Sequence, residues 1–217
     1  MVPYLVKARG NLYADGNLFI YDHDGHLVFL LLYVDDIIVI GNHPSFIASL
    51  LATLGQDFNL KDLGRLHYFL RLQFDYTPAG LFVHQTKYAT DLLHKFSMSE
   101  CKPCKTPCTP NAHLIANDSP LLPNPIVYKS MLGALHYLTL TRPNLSFAVM
   151  GSPTSNHLLA TECILRYLQG TIHQGLVFTL GPLTLSAYTD ADWAGDPMDR
   201  KLIYGILVFL DNSPITW

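Results

Sequence analysis

Leu30-Leu31-Leu32-Tyr33-Val34-Asp35-Asp36-Ile37-Ile38-Val39 is the stretch on which the fold turns. Two adjacent carboxylates interrupt apolar runs at residues 27–34 and 37–40 that are rich in branched side chains. Such runs suit buried strands. Neighbouring carboxylates repel each other and lose solvation between apolar walls. A hairpin with the acids at its tip relieves both problems, because there they reach water or a divalent cation. Hard oxygen donors of this kind suit Mg²⁺, and paired magnesium ions stabilise attacking and leaving oxygens in phosphoryl transfer. Asp also favours turns for purely local reasons, and the bare pattern leans toward that solvated-turn reading.

Outward from the acids the period changes. Residues 17–21 read as a short strand, and residues 22–26, with Gly25, as a turn. Phe46, Ile47, Leu50, Leu51 and Leu54 share one helical face, with Pro44 suited to the first turn and Gly55 to a stop. Leu66, Tyr68, Leu70, Leu72 and Phe74 alternate with polar residues, which predicts a continuous strand with one buried face. Pro78, Ala79 and Gly80 predict a turn into a strand over 81–84, and Tyr88, Ala89, Leu92, Leu93 and Phe96 an amphipathic helix. Residues 101–127 hold six prolines and predict an extended linker. Helical spacing resumes at Tyr128 and again over 158–168, closed by Gly170. Strands are predicted over 183–189, 203–210 and 215–217.

The chain has 217 residues, 49% apolar and 14% charged, with a net charge of −3. Abundant aromatic and branched side chains exclude intrinsic disorder, and the charge balance announces no strongly basic surface. Three of the four cysteines crowd at Cys101, Cys104 and Cys108, which is no disulfide scaffold. Their spacing superficially suggests zinc, but a structural site needs a fourth ligand, and His94 and His113 lack a paired spacing. No Ser or Cys has a recognisable catalytic partner, so no hydrolase triad is assigned. The opening residues lack a secretory signal, and the acids in the most apolar segment weigh against a membrane span, so a soluble intracellular protein is expected.

The Tyr33-Val34-Asp35-Asp36 stretch resembles the acid box of reverse transcriptases of Ty1/copia-type retrotransposons. The resemblance continues in family order. It takes in Lys61-Asp62-Leu63-Gly64 with Leu66-His67-Tyr68-Phe69-Leu70, then Gly80-Leu81-Phe82-Val83-His84-Gln85-Thr86-Lys87-Tyr88-Ala89. Cys101-Lys102-Pro103, Gly133-Ala134-Leu135-His136-Tyr137-Leu138-Thr139, Thr141-Arg142-Pro143 and Ile164-Leu165-Arg166-Tyr167-Leu168-Gln169-Gly170-Thr171 follow. Ala187-Tyr188-Thr189-Asp190-Ala191-Asp192-Trp193-Ala194-Gly195 resembles the opening strand of the attached ribonuclease H.

The resemblance implies an α+β fold: a partial palm and thumb over residues 1–100, a Pro-rich linker over 101–127, a helical connection over 128–182, and a truncated ribonuclease H-like sheet over 183–217. It implies a fragment of an RNA-directed DNA polymerase, which joins nucleotides to a primer 3′-hydroxyl on an RNA or DNA template. Asp35 and Asp36 inherit the catalytic, metal-binding role, and Asp190 that of the first ribonuclease H metal ligand; Asp192 reads better as a turn acid. The implied cofactor is Mg²⁺, with Mn²⁺ as the substitute. The implied partners are primer–template, nucleoside triphosphates and other segments of the parent polyprotein, and no membrane. Lys61, Arg65 and Lys87 stand among the cations that outnumber acids seven to five over residues 57–110, and become candidate phosphate contacts.

Departures from the family pattern set a further expectation. Only 34 residues precede Asp35, with Asp15 the nearest upstream acid, in a polar turn, and the chain ends at Trp217, before the helix that would bring further ribonuclease H acids. The isolated chain is therefore expected to be inactive, either as a nucleic-acid-binding remnant or as an unstable pseudogene product. Residues 148–153 are shorter than the family pattern by roughly two turns of helix. Arg71 replaces the usual Gly, which matters if the backbone there has positive φ, and Asn144 replaces the usual Asp.

Overall fold

The computed structural model describes residues 11–34, 36–58, 60–108, 119–148, 154–192 and 203–217. It mixes helices and sheets, an α+β chain, and divides into two compact units, Met1–Phe69 and Leu70–Trp217.

The first unit is a four-stranded antiparallel meander of β1 (Asn11–Asp15), β2 (Leu18–His23), β3 (His26–Tyr33) and β4 (Asp36–Gly41), followed by helix α1 (Pro44–Asp57). Each connection is a two-residue turn whose first residue has positive φ: Gly16 at 58°, Asp24 at 51° and Val34 at 50°. Turns of that hand match the right-handed twist of the strands they join, which is why Asp24-Gly25 is a favourable sequence there. Val34 is the exception, because a β-branched residue resists that conformation. Pairing Tyr21 with Val28, Leu30 with Val39 and Leu32 with Ile37 puts alternate residues of three strands on one face. On that face Val28, Leu30, Val39 and Leu54 form the buried centre, with Phe46, Ile47, Leu50 and Leu51 of α1 packed against it.

Asp15 closes strand β1, beside the turn and not within it. Helix α1 runs past Gly55 to Asp57, and the Phe58 N–H closes it on the Leu54 carbonyl; an exposed glycine costs a helix about 1 kcal/mol, less than the burial of Leu54 returns.

The strand predicted across 66–74 is broken. Tyr68–Phe69 (β5) ends the first unit, and β6 (Leu72–Thr77) opens the second. Between them Leu70 and Arg71 take φ of 47° and 62°. A pair of left-handed residues turns the chain, whatever the side-chain alternation says.

In the second unit β6 pairs with β7 (Gly80–His84) through the predicted turn, and β7 pairs with β8 (Gly175–Phe178). Gly80 has φ of 140°, and a Cβ there would stand 2.2 Å from the Phe178 carbonyl, so only glycine fits. Strand β8 falls within residues 128–182, where only helices are predicted; four residues are too few to show a period. Helices α2 (Thr86–Lys95), α3 (Pro125–Leu138) and α4 (Ser155–Gly170) bury one core of Tyr88, Leu92, Leu93, Met131, Leu135, Leu138, Ile164, Leu165 and Leu168. Leu145, in the 3₁₀ turn Pro143–Ala148, completes it. Asn124 caps α3 by accepting from the Ile126 N–H, so that helix starts inside the predicted linker, at Pro125. Strands β9 (Leu185–Asp192), β10 (Ile203–Leu210) and β11 (Ser213–Thr216) form a second antiparallel sheet in the order β11-β10-β9. The shortened stretch at 149–153 lies outside the described residues.

Candidate nucleic-acid and metal site

The acid box is a hairpin turn, as its pattern predicts. Tyr33 pairs with Asp36 as the last rung of β3 and β4, and Val34 turns away from β3. Asp35 itself lies outside the described residues. Asp36 shares a sheet face with Ile38 and Ile40, opposite the face covered by α1, and is exposed. Tyr33, beside it, meets Phe69 edge to face with ring centroids 6.4 Å apart. An exposed carboxylate at a strand's first residue offers the hard oxygen that Mg²⁺ prefers. A divalent ion of that kind needs several oxygen ligands, and among the described residues no three His, Cys, Asp or Glu side chains converge on one point. Asp36 thus fits the chemistry of the ion as one ligand.

Lys61 and Arg65 are exposed in the stretch leading to β5. That stretch is shaped by Asp62, whose carboxylate accepts from the Gly64 N–H at 2.7 Å. In the second unit Lys87 is exposed on the first turn of α2, and its N–H donates to Gln73 Oε1 at 2.7 Å. Asp190 is exposed on β9, opposite Gly205, and its carboxylate accepts from the Ala191 N–H at 3.0 Å. Asp192, expected as a turn acid, instead closes strand β9, paired with Ile203.

Several residues that carry the resemblance brace the fold. His84 is buried between Asp75 Oδ2 at 3.0 Å and Thr86 Oγ1 at 2.6 Å, and Gln85 accepts from the Thr141 hydroxyl at 2.8 Å. Arg142, 3% exposed, donates to the Thr171 carbonyl (3.0 Å), the Thr171 hydroxyl (2.8 Å) and Asn144 Oδ1 (3.3 Å). Burial lowers the pKa of its guanidinium, partly offset by Tyr167. Nothing in the local pattern marks a buried arginine; its Thr171 partner is far along the chain. Arg71 lies over the Tyr88 ring, 5.0 Å from its centroid. Burial raises the Tyr88 pKa, against the lowering effect of Arg71.

A hairpin with an exposed acid at its last rung is thus backed by one helix, and basic residues are exposed on the segments that follow. Residues 11–110 match the family model for reverse transcriptase (RNA-dependent DNA polymerase). The chain is 40% identical over 214 residues to the retrovirus-related Pol polyprotein from transposon RE1 of Arabidopsis thaliana, covering 95% of this chain and 15% of that protein. It is 33% identical to the Pol polyprotein from transposon TNT 1-94 of Nicotiana tabacum, covering 89% of this chain and 16% of the relative. An uncharacterized mitochondrial protein of Arabidopsis thaliana is 39% identical, over 88% of this chain and 82% of its own length. No solved structure matches. The chain belongs to the reverse transcriptase family of copia-type retrotransposon Pol polyproteins. It spans about 15% of the length of the Arabidopsis polyprotein. No described helix is long and apolar enough to cross a membrane.

Proposed function

We propose that this segment supplies the metal-binding turn of an RNA-directed DNA polymerase. In the reaction a primer 3′-hydroxyl attacks the α-phosphorus of a nucleoside triphosphate and pyrophosphate leaves. Asp35 and Asp36 are the catalytic acids that hold Mg²⁺, or Mn²⁺ in its place, and the ion supplies stabilisation of the attacking and leaving oxygens. The observation that carries the reading is Asp36, exposed at the first rung of β4, paired with Tyr33. Lys61, Arg65 and Lys87 contact the phosphate backbone of primer and template. Residues 1–100 are the C-terminal palm and the thumb, with α2 as a thumb helix; 101–127 are the linker and 128–182 the connection. Residues 183–217 are the opening strands of a ribonuclease H-like domain, with Asp190 as its metal ligand.

The test is primer extension on an RNA template, with Asp35→Asn/Asp36→Asn alongside. Mg²⁺-dependent extension that vanishes in the double variant supports the assignment, and extension that survives it overturns it. The inactivity expected of the isolated chain is the outcome in which neither protein extends the primer while both melt cooperatively. The acids are then tested by Mn²⁺ binding, which the double substitution must weaken.

A further inference from the structure

The extended segment 99–106 runs along α4 and is tied to it at intervals. The Cys104 N–H donates to the Arg166 carbonyl at 3.3 Å, Arg166 Nε donates to the Lys102 carbonyl at 2.9 Å, and Gln169 Nε2 donates to the Ser99 carbonyl at 2.8 Å. Gly170 meets the same segment, since a Cβ there would stand 3.0 Å from Pro103 Cβ. Cys163, Arg166, Gln169 and Gly170 follow helical spacing, so they share one side of α4. In this contact the Cys104 sulfur stands 3.6 Å from the Cys163 sulfur and 3.1 Å from the Cys163 carbonyl oxygen.

We propose that Cys104 and Cys163 form a reversible disulfide that staples the Pro-rich segment to α4. A sulfur–sulfur bond is about 2.05 Å long, so the sulfurs must close by about 1.5 Å, the scale of a side-chain rotation with the backbone held. The hydrogen bonds on either side of Cys104 hold that backbone. In an unfolded chain the short loops within Cys101, Cys104 and Cys108 close at lower entropic cost than one 59 residues apart. The Cys104–Cys163 bridge therefore depends on the native docking.

The oxidant is a hydroperoxide. The Cys104 sulfur attacks one peroxide oxygen, the O–O bond breaks to give a sulfenic acid, and the departing oxyanion (hydroxide, from hydrogen peroxide) takes the thiol proton and leaves as water. The Cys163 sulfur then attacks that sulfur, and its proton departs with the hydroxyl as a second water. Two thiols lose two electrons, and the peroxide gains them. Burial, together with the Cys104 sulfur, pushes the Cys163 thiol up to about 11, so the bridge forms faster as pH rises.

The test treats the full chain with hydrogen peroxide and counts thiols after quenching. The count is expected to fall from four to two, with a mass loss of two hydrogens and a cross-linked peptide pair containing positions 104 and 163. Dithiothreitol must restore all four. Cys101→Ser/Cys108→Ser must still form the bridge, and Cys104→Ser and Cys163→Ser must each abolish it. The bridged protein is expected to melt at a higher temperature than the reduced one. Bridges confined to Cys101, Cys104 and Cys108, a count that stays at four, or a lower melting temperature for the bridged form would each overturn the proposal.

Discussion

Arg71 stands with its guanidinium 5.0 Å from the centre of the Tyr88 ring while its own backbone is held at φ of 62°. The turn behind it is fixed by the Tyr137 hydroxyl, which donates to the Leu70 carbonyl. A left-handed conformation costs an ordinary residue about 1 kcal/mol, and a cation over a buried ring such as Tyr88 returns about 1–2 kcal/mol. Arg71→Ala keeps the strain and loses the ring contact, whereas Arg71→Gly loses both. The glycine variant is therefore expected to be more stable than the alanine variant by about 1 kcal/mol, read from paired urea melts. Equal midpoints would show that the turn carries no backbone strain.

Val34 presents the same strain at the acid turn. It is 80% exposed with φ of 50°, so its side chain gains little burial for the conformation it occupies. Asn adopts that region readily. Val34→Asn is expected to raise the stability of the first unit by about 1 kcal/mol, seen as a later thermal transition. An earlier transition would contradict it.

Arg142 donates to two acceptors on Thr171 and one on Asn144, all neutral, beside the Tyr167 hydroxyl. A hydrogen bond to a charged acceptor is worth more than one to an amide, by about 1 kcal/mol. Asn144→Asp therefore raises the melting temperature, with Tyr167, which now accepts from Asn144 Nδ2 at 2.6 Å, free to donate to the new carboxylate. Arg142→Ala removes all three donors and is expected to cost about 2–3 kcal/mol. Differential scanning calorimetry of the two variants checks both signs.

Leu135 and Leu165 are fully buried where α2, α3 and α4 meet. Truncating either to Ala removes transfer energy and leaves a cavity, at an expected cost of about 2–5 kcal/mol. Leu159, 62% exposed on α4, is the control, and Leu159→Ala should change little. Denaturant midpoints that failed to separate the buried and exposed substitutions would refute the placement of the core.

Cys163 gives a pH signature. Burial raises its folded pKa from 9.0 to about 11, so the folded state holds a proton that the unfolded state has given up. That stability is fully present below about pH 9 and is lost as pH rises toward 11. Tyr88 and Tyr128, also raised by burial, add loss in the same direction at higher pH. Melting temperatures should fall in this alkaline window, and less steeply in Cys163→Ser. An unchanged slope in that variant would remove Cys163 as a cause.

Local chemistry determined much of this protein. Alternation with two central acids made the β3–β4 hairpin and the position of Asp36 at its turn legible, because a period of two and the cost of desolvating carboxylates act over a few residues. Helical spacing did the same for α2 and α4, and β10 lies at the residues its apolar run predicts. Arg71 could be flagged from its sequence position, but its positive φ is a property of the folded turn. Tertiary structure alone decided that Leu70 and Arg71 break the strand, that β8 pairs with β7, and that Arg142 is buried against Thr171. It alone brought Cys163 to Cys104. These contacts join residues far apart along the chain, and they form because packing offsets the entropic cost of closing the loops between them, a balance that no local pattern records.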